Sequence, residues 1–528
     1  MDTVLLKVGS PPALQAQVNF NASVRISAPT LADNLATAFI RVAAVCGDHN
    51  AAETESGAFS YDWVLRAALS VRRYLCSRSD YFAGAPVALQ LANSPEYLAA
   101  FYGTLLADCV VVPLPVAMES AWRKKIYELC HPLVLMSRAQ DLGGEATISP
   151  VATLSLSESL EKAIALPRLS RKDRDLAMVL FTSGSTGLPK GVMLSHRNLL
   201  ANADSILHEL PIRADDRTLT ILPFCHAFGN SILQTHALSG ATLILWAPTP
   251  FPASIVDALR NLQCTTFSAV PEVYSMLLKY GRLGDRPLEK LRYMTVAGGK
   301  LRYDLCVEVA DRIAPAPFYV MYGQSEATAR LAVLPPDQLR SRRGSIGKPI
   351  HGVEFRIADE SNRELPPGAV GMLCARGDNV MLGYWHDPSA TADVLTDDGW
   401  LRTNDLAHRD DDGYFYLHGR ANLLVKIQGY RVHPAEIEAL VEEAFPHVAA
   451  VAIPAARGDE TRFVLFLAPR DDRPVDVKSV RSTCQQELPP YKVPVHFEVL
   501  DHLPLTSGHK VDRTVLEALG ARLLMPVT

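Results

Sequence analysis

A polar loop holds the residues with the clearest capacity for chemistry. The segment from Thr182 to Gly191 reads TSGSTGLPKG and combines hydroxyl side chains and glycines with one lysine. Glycines let backbone N–H groups turn toward an anion, hydroxyls supply further donors, and an ammonium group matches phosphate charge. The loop therefore predicts a phosphate-binding site, in which we expect Thr182, Ser183, Gly184, Ser185, Thr186, Gly187 and Lys190.

The surroundings of this loop separate it from other glycine-rich segments. A Walker A loop has Ser or Thr directly after its lysine, whereas Gly191 follows Lys190 here. A flexible surface linker is the alternative, because Ser, Gly and Thr are common in linkers. The apolar segment Ala177–Phe181 predicts a buried strand before the loop, and Ser195 predicts the cap of a helix that runs to about Leu210. These flanking elements favour the phosphate interpretation.

The hydrophobic pattern of the first half places the loop in an α/β protein. Apolar residues at helical spacing predict helices over Tyr61–Cys76 and Ser94–Leu106. Short apolar segments such as Val110–Leu114 and Thr265–Val270 alternate with the helices and predict buried parallel strands. The predicted architecture is a set of helix-covered sheets.

The pattern changes toward the C-terminus. Short strands and turns rich in Gly, Pro and Asp predict a β-rich subdomain over about 344–418, within a large N-terminal domain of residues 1–419. A compact helix and strand pattern, with a helix at Pro434–Ala444, predicts a small α+β domain over 420–528. The predicted fold class is therefore α/β, with a large N-terminal domain and a small, mobile C-terminal domain.

Composition excludes several classes of protein. The net charge is -5 over 528 residues, so nothing indicates a basic nucleic-acid surface. The nine cysteines form no CxxC pair, which favours a reducing cytoplasm without a zinc site or disulfide framework. The N-terminus lacks the pattern of a signal peptide, and the apolar run Gly103–Met118 is broken by Asp108 and two prolines. We therefore expect a cytoplasmic protein without a membrane span.

The loop closely resembles the signature of the adenylate-forming superfamily, which includes acyl- and aryl-CoA synthetases, firefly luciferase and the adenylation domains of peptide synthetases. Further segments resemble the family's motifs in the family's order: Leu105–Pro115, Pro223–Gly229, Tyr322–Glu326, Trp400–Leu406, Gly419–Glu438 and Leu503–Arg513. The resemblance covers nearly the whole chain. It implies that ATP and Mg²⁺ activate a carboxylic acid as an acyl-adenylate, which then passes to a pantetheine thiol.

The resemblance also implies roles for single residues in nucleotide binding. Tyr322 is expected to stack on adenine, and Glu326 to hold Mg²⁺ through its carboxylate. Asp405 is expected to accept hydrogen bonds from the ribose hydroxyls, although its charge alone would suggest a solvated surface group. Outside the loop, the expected nucleotide and metal residues are Gly299, Tyr322, Gly323, Ser325, Glu326, Asp405 and Arg420.

Two further motifs imply catalysis in two steps. Lys510 is expected to stabilise negative charge on phosphate oxygens while the carboxylate displaces pyrophosphate. The C-terminal domain is then expected to rotate at Asn422, so that the segment with Lys426 and Gly429 replaces the Lys510 loop and lines a tunnel for the pantetheine arm. Some positions depart from the family pattern: Ser325 stands where Thr is usual, Asn404 and His509 where Gly is usual, and Asn422 where Asp is common.

The acyl pocket is expected near His226, Phe228, Asn230, Val270, Tyr274, Ala297, Gly298 and Met321. His226 is a candidate catalytic gate, with a packed core histidine as the alternative. Because no Asp or Glu occurs from Ile221 to His236, nothing there would hold the ammonium of an amino acid. The pattern favours a fatty or aryl acid without an α-amino group.

The thiol acceptor has two candidates. The form GYRVHPAEIE from Gly429 to Glu438 resembles CoA ligases, which favours CoA over the phosphopantetheine of an acyl carrier protein. A catalytically inactive nucleotide-binding homologue is a further alternative. The presence of Lys190, Glu326, Asp405 and Lys510 argues against it.

Overall fold

The computed structural model describes most of the chain and divides it into two compact units. The first unit consists of Met1–Phe355 and Ala375–Leu401, and the second of Arg356–Cys374 and Arg402–Thr528. Within the described ranges, no helix is both long and apolar enough to cross a bilayer. The described residues are 2–8, 34–138, 151–156, 169–183, 189–246, 251–299, 302–423, 425–427, 430–457, 460–471, 473–505 and 511–524.

Side-chain caps fix the starts of several helices. Ser60, Ser94 and Ser195 each accept a hydrogen bond from a backbone N–H in the first turn that follows. The predicted helices at Tyr61–Cys76 and Pro434–Ala444 are confirmed at both ends. The helices are α1 (Leu35–Val45), α2 (Tyr61–Cys76), α3 (Pro95–Leu106), α4 (Ser120–Cys130), α5 (His196–Glu209), α6 (Ala227–Ser239), α7 (Pro252–Asn261), α8 (Pro271–Lys279), α9 (Tyr303–Ile313), α10 (Pro388–Val394), α11 (Pro434–Ala444), α12 (Val477–Glu487) and α13 (Arg513–Leu523).

The strands are short, as expected for an α/β protein. They are β1 (Asp2–Val8), β2 (Asn50–Thr54), β3 (Gly57–Ser60), β4 (Pro86–Gln90), β5 (Val110–Leu114), β6 (Val134–Ser137), β7 (Val151–Leu156), β8 (Leu176–Ser183), β9 (Pro189–Ser195), β10 (Arg217–Thr220), β11 (Thr242–Leu245), β12 (Thr266–Ala269), β13 (Tyr293–Val296), β14 (Phe318–Tyr322), β15 (Ala332–Leu334), β16 (Ser345–Pro349), β17 (Val353–Ala358), β18 (Gly371–Gly377), β19 (Gly383–Tyr384), β20 (Leu401–Arg409), β21 (Phe415–Arg420), β22 (Val425–Ile427), β23 (Tyr430–Val432), β24 (Val448–Arg457), β25 (Glu460–Pro469) and β26 (His496–Val499).

One sheet of the first unit has the order β19-β9-β8-β5-β4-β6-β1-β7. The strands from β8 to β7 pair in parallel, whereas β9 is antiparallel to both β8 and β19. Ile126 of α4 packs with Val112 and Val179 in a buried cluster, so this helix covers the sheet. The burial of these β-branched strands is what the continuous apolar pattern predicted.

The two described ends of the predicted phosphate loop belong to paired strands of this sheet. The sequence predicted that the loop leads into α5, but β9 intervenes and returns antiparallel to β8. The register pairs Thr182 with Lys190, and Ser195 ends β9 while capping α5. Residues 184–188 lie outside the described residues. The lysine of the motif is therefore on a strand, where pairing with β8 fixes its backbone.

The second sheet of the first unit brings predicted site residues to one edge. Its strands follow the order β16-β15-β14-β13-β12-β10-β11-β2-β3, and those from β14 to β2 are parallel. Carboxyl ends of parallel strands meet at the same edge of a sheet. Val270 follows β12, Ala297 follows β13, and Tyr322 ends β14. Residues predicted for the acyl pocket and for nucleotide binding thus lie next to one another, at the carboxyl ends of neighbouring strands.

The second unit has its own hydrophobic core. In the sheet β24-β25-β26, alternate residues face opposite sides, as the pleat requires. Ala450 and Ala452 pack in a cluster with Ile437 of α11, whereas Val451 packs in another with Leu516 of α13. The unit also contains most of the strand order β17-β18-β20-β21 and the hairpin β22-β23. The predicted α+β character of the C-terminal part agrees with this arrangement.

The predicted rotation boundary stays a prediction. Compactness assigns Arg356–Cys374 and the residues from Arg402 onward to the second unit, whereas the prediction places the movable part at 420–528 with its hinge at Asn422. A division by packing and an axis of rotation are different properties. The side chain of Asn422 lies outside the described residues.

Candidate active site

Lys190 and Glu326 meet on one tyrosine. The ammonium nitrogen of Lys190 lies 5.0 Å from the ring centroid of Tyr384. The hydroxyl of the same tyrosine donates a 2.8 Å hydrogen bond to Oε1 of Glu326. Tyr384 is 6% exposed and lies on β19, opposite Val192 of β9. Pairing of β19 with β9 therefore places this ring beside the strand that contains Lys190.

A tight turn after β14 positions Glu326. The short 3₁₀ helix Ser325–Ala327 follows β14, and the chain returns when Leu331 N–H bonds to Tyr322 O at 2.8 Å. A Cβ on Gly323 would lie 1.7 Å from the carbonyl oxygen of Ala329, so only glycine fits this close approach. The predicted YGxSE segment is thus folded back on itself at the edge of the sheet.

Backbone strain marks the residue two positions after Glu326. Thr328 has φ +67° and ψ -54°, and Ala329 N–H bonds to Ala327 O at 2.7 Å. These values define the rare and strained γ-turn, which is unusual for a β-branched residue. The Thr328 hydroxyl donates to Asn379 O at 2.7 Å and holds the turn. Such strain clusters at functional sites because surrounding contacts must maintain it.

Asp405 and Arg420 form an ion pair within the second unit. They are register partners on β20 and β21, and Arg420 Nε lies 3.0 Å from Asp405 Oδ1. The Asp405 side chain is 8% exposed and that of Arg420 is 51% exposed. Asn404, which stands where the family has Gly, has φ +61°. Asn is one of the few residues that tolerate this left-handed conformation, so the departure preserves the backbone.

His433 joins β21 to the start of α11. Its Nε2 lies 2.7 Å from Arg420 O, and its Nδ1 accepts the N–H of Ala435. The ring occupies the space above Gly419, where a Cβ would be 2.1 Å from Cε1 of His433. Glycine at 419 therefore allows the histidine to hold the backbone of Arg420.

Three residues of the predicted acyl pocket lie close together. A Cβ on Gly298 would lie 3.3 Å from Val270 Cγ1 and 3.8 Å from Phe228 Cδ1, so these three residues surround one point. Tyr274 is different: it is fully buried, and its hydroxyl donates to Thr295 O at 2.8 Å. This tyrosine is tied into the core. His226 is exposed at the N-cap of α6 and does not have the burial of a packed core histidine.

The family profile described as AMP-binding enzyme matches residues 39–385. The chain belongs to this family. Indoleacetate–CoA ligase of Aromatoleum aromaticum is 32% identical to this AMP-binding enzyme over 452 residues, which are 81% of this chain and 87% of that enzyme. Feruloyl-CoA synthase of Amycolatopsis is 31% identical over 434 residues, 79% of this chain and 85% of that enzyme.

Solved structures agree with the sequence relatives. ATP-bound MatB from Rhodopseudomonas palustris superposes on this AMP-binding enzyme with a TM-score of 0.83 at 27% identity, covering 93% of this chain and 100% of that chain. The expected membership of the adenylate-forming superfamily and the expected fold class are confirmed. The chain is an AMP-forming acid–thiol ligase.

Several predicted site residues lie outside the described part of this AMP-binding enzyme. Their roles stay predictions, as do those of the described site residues. The positions outside the described residues are Gly184, Ser185, Thr186, Gly187, Gly429 and Lys510, and for Ser183, Asn422 and Lys426 the side chains are outside.

Sequence reasoning did not single out two side chains that contact predicted site residues. Tyr384 contacts Lys190 and Glu326. Arg330 lies over the ring of Phe228 at 4.4 Å. A single sequence gives no sign of the strand pairing that brings Tyr384 to β9. Arg330 offered a weak signal, since it follows the YGQSE motif closely in an otherwise apolar stretch.

Proposed function

We propose that this AMP-binding enzyme uses ATP and Mg²⁺ to convert a carboxylic acid without an α-amino group into an acyl-adenylate, and then into its CoA thioester. The observation that supports the proposal most directly is the contact chain Lys190–Tyr384–Glu326. It places an ammonium group and a carboxylate on the same ring, next to the strand that follows the predicted phosphate loop. An anionic phosphate and its metal counter-ion require this pair of charges.

Glu326 has the chemistry expected of a magnesium ligand. Its Oε1 accepts the hydroxyl of Tyr384, and its Oε2 has no hydrogen-bond partner among the described residues. Magnesium prefers carboxylate oxygens, and ligand carboxylates are commonly oriented by a second hydrogen bond. The ion, when bound, neutralises charge that develops on the phosphates. Tyr384 then acts by fixing which oxygen of Glu326 is free.

The remaining site residues would divide the work of adenylation. Lys190 would bind phosphate oxygens, and Tyr322 would pack against adenine from the end of β14. Asp405, held by Arg420 at 3.0 Å, would accept the ribose hydroxyls. Lys510 would stabilise the charge on the α-phosphate as the carboxylate attacks and pyrophosphate leaves. Asn422 would serve as the hinge that afterwards brings Lys426 and Gly429 to the thiol channel.

The activities for which two relatives are named support CoA as the acceptor. Indoleacetate–CoA ligase and feruloyl-CoA synthase both name CoA and an acid without an α-amino group. The apolar surface that Phe228 and Val270 form around Gly298 suits the hydrocarbon part of a fatty or aryl acid. Thioester transfer to CoA is therefore the second step that we propose.

A panel of acids tests this proposal. Purified enzyme, ATP and Mg²⁺ are incubated with fatty, aryl and amino acids, with and without CoA, and pyrophosphate release is measured. We expect release with fatty or aryl acids and faster turnover when CoA removes the acyl-adenylate. If an amino acid gave the highest kcat/KM, the proposed class of acid would be contradicted. If CoA did not change the rate of pyrophosphate release, CoA would be contradicted as the acceptor.

A further inference from the structure

Arg330 is a buried cation beside the predicted acyl pocket. It is 3% exposed and precedes β15 on the returning arm of the turn. Its Cζ lies 4.4 Å from the ring centroid of Phe228, and its Nε lies 3.2 Å from the sulfur of Met321. A third contact joins its Nη1 to the hydroxyl of Ser231. Phe228 and Met321 are both predicted pocket residues, so the guanidinium packs directly against two residues of the predicted pocket.

No carboxylate neutralises this guanidinium among the residues that the structure describes. Its hydrogen-bonding side-chain partners are neutral, and Nη2 has no partner in the described part of the chain. Burial lowers the pKa of Arg330 to about 10, so the group is still protonated at neutral pH. A buried charge without a counter-charge is unfavourable. The site is therefore poised to gain from an incoming anion.

Other partly buried arginines in the same unit have acidic partners. Arg217 makes two hydrogen bonds, of 2.6 and 2.8 Å, to the carboxylate of Glu53. Arg292 contacts the fully buried carboxylate of Asp216. In both cases an acidic side chain neutralises a guanidinium that is only partly exposed. The lack of an acidic partner for Arg330 among the described residues calls for a different explanation.

We propose that Arg330 binds a second anionic group of the substrate acid, either a carboxylate or a sulfonate. This inference rests on the proposed function and narrows its substrate to a fatty or aryl acid with an acidic group besides the one that reacts. The reacting carboxylate is a poorer candidate. A guanidinium that neutralised it would stabilise the ground state and weaken its attack on the α-phosphate.

The size of the effect follows from hydrogen bonds between charged groups. Removing such a bond lowers kcat/KM by about 10- to 100-fold. The loss is confined to acids with the second anionic group. An acid without that group leaves the guanidinium buried and unpaired, so the wild-type enzyme discriminates against it.

Matched acids test the inference in the wild-type enzyme. Hexanoate is compared with adipate and with the corresponding ω-sulfonate, and phenylacetate with para-carboxyphenylacetate. The readouts are AMP formation and acyl-CoA formation. We expect at least about tenfold higher kcat/KM for one of the doubly acidic classes over its matched monoacid. A preference for the monoacid in every pair overturns the inference even if no variant can be purified.

Two variants separate charge from packing. Arg330→Met keeps a long apolar side chain against Phe228 and should lose the preference for the second acidic group, whereas Arg330→Lys should retain part of it. Arg376→Met is the matched control, because Arg376 lies 4.6 Å from the Trp400 ring centroid but is paired with Glu354. An equal loss on mono- and diacids in Arg330→Met, at unchanged melting temperature, would contradict the role.

The outcomes distinguish this inference from the proposed function. Turnover of monoacids alone would leave the proposed function standing and remove the role of Arg330. Failure of every acid to yield AMP and acyl-CoA would remove both.

Discussion

Tyr384 offers the sharpest test of the proposed magnesium site. Tyr384→Phe removes the hydroxyl that donates a 2.8 Å hydrogen bond to Glu326, and it keeps the ring whose centroid lies 5.0 Å from the Lys190 ammonium nitrogen. A hydrogen bond to a charged group contributes roughly 1.5–3 kcal/mol. Because 1.36 kcal/mol corresponds to about tenfold, the apparent affinity for Mg²⁺ should fall by about 10- to 100-fold. Saturating Mg²⁺ should restore most of the activity.

A magnesium titration of pyrophosphate exchange at fixed ATP measures this effect. Tyr384→Leu should add a second defect, because the loss of a cation–π contact of roughly 0.5–2 kcal/mol weakens the placement of Lys190 and raises the KM for ATP. Melting temperatures of both variants show whether the fold is intact, since Tyr384 is buried.

A second tyrosine–carboxylate pair serves as the control. The Tyr416 hydroxyl donates a 3.0 Å hydrogen bond to the carboxylate of Asp410, which is not a predicted site residue. Tyr416→Phe should leave the magnesium dependence unchanged. If Tyr384→Phe showed the parent titration curve, the hydroxyl would have no part in metal binding and the reasoning from the contact chain would be refuted.

Three further predictions follow from the site and from one buried histidine. Lys510→Ala should slow acid-dependent pyrophosphate release by about 10²–10³ while leaving thioester formation from supplied acyl-adenylate and CoA intact, and equal loss of both steps would count against its role. Asp405→Ala should raise the KM for ATP without reordering the acids, so a changed acid preference at normal ATP affinity would contradict ribose binding. Burial lowers the pKa of His196 from 6.5 to about 4, so the folded protein favours the neutral imidazole. The stabilising contribution of His196 is fully present above pH 6.5, and it is lost as the pH falls from 6.5 toward about 4. Between about pH 8 and about pH 5, the free energy of unfolding measured with denaturant should therefore fall by ~2 kcal/mol more in the parent protein than in His196→Gln. An identical pH dependence of the two proteins would contradict the assignment.

The sequence predicted those elements whose signal is local. The helix at Tyr61–Cys76 and the strand at Val110–Leu114 have the predicted bounds. Their apolar patterns, and the cap of the helix, depend only on residues that are neighbours in the sequence. Strand β9 was missed, because the motif around Lys190 was interpreted as a loop. Its strand character comes from antiparallel pairing with β8.

The candidate site shows the same division between local and long-range information. The departure at Asn404 is visible in the sequence, but only the structure gives its φ of +61°, a value that Asn tolerates. The contacts of Tyr384 and Arg330 are not visible in the sequence at all. Tyr384 reaches Glu326 from 58 positions away, and Arg330 reaches Ser231 from 99 positions away. A charged residue in a loop normally predicts solvent exposure, and only tertiary packing reveals that this arginine is buried.

Transfer of a carboxylate oxygen tests the central claim most directly. The acid is labelled with heavy oxygen in its carboxylate, and the products of turnover with ATP, Mg²⁺ and CoA are separated by mass spectrometry. Attack on the α-phosphate followed by thioester formation leaves one labelled oxygen in AMP and none in pyrophosphate. Label in inorganic phosphate together with ADP, or AMP without label, would contradict an acyl-adenylate intermediate.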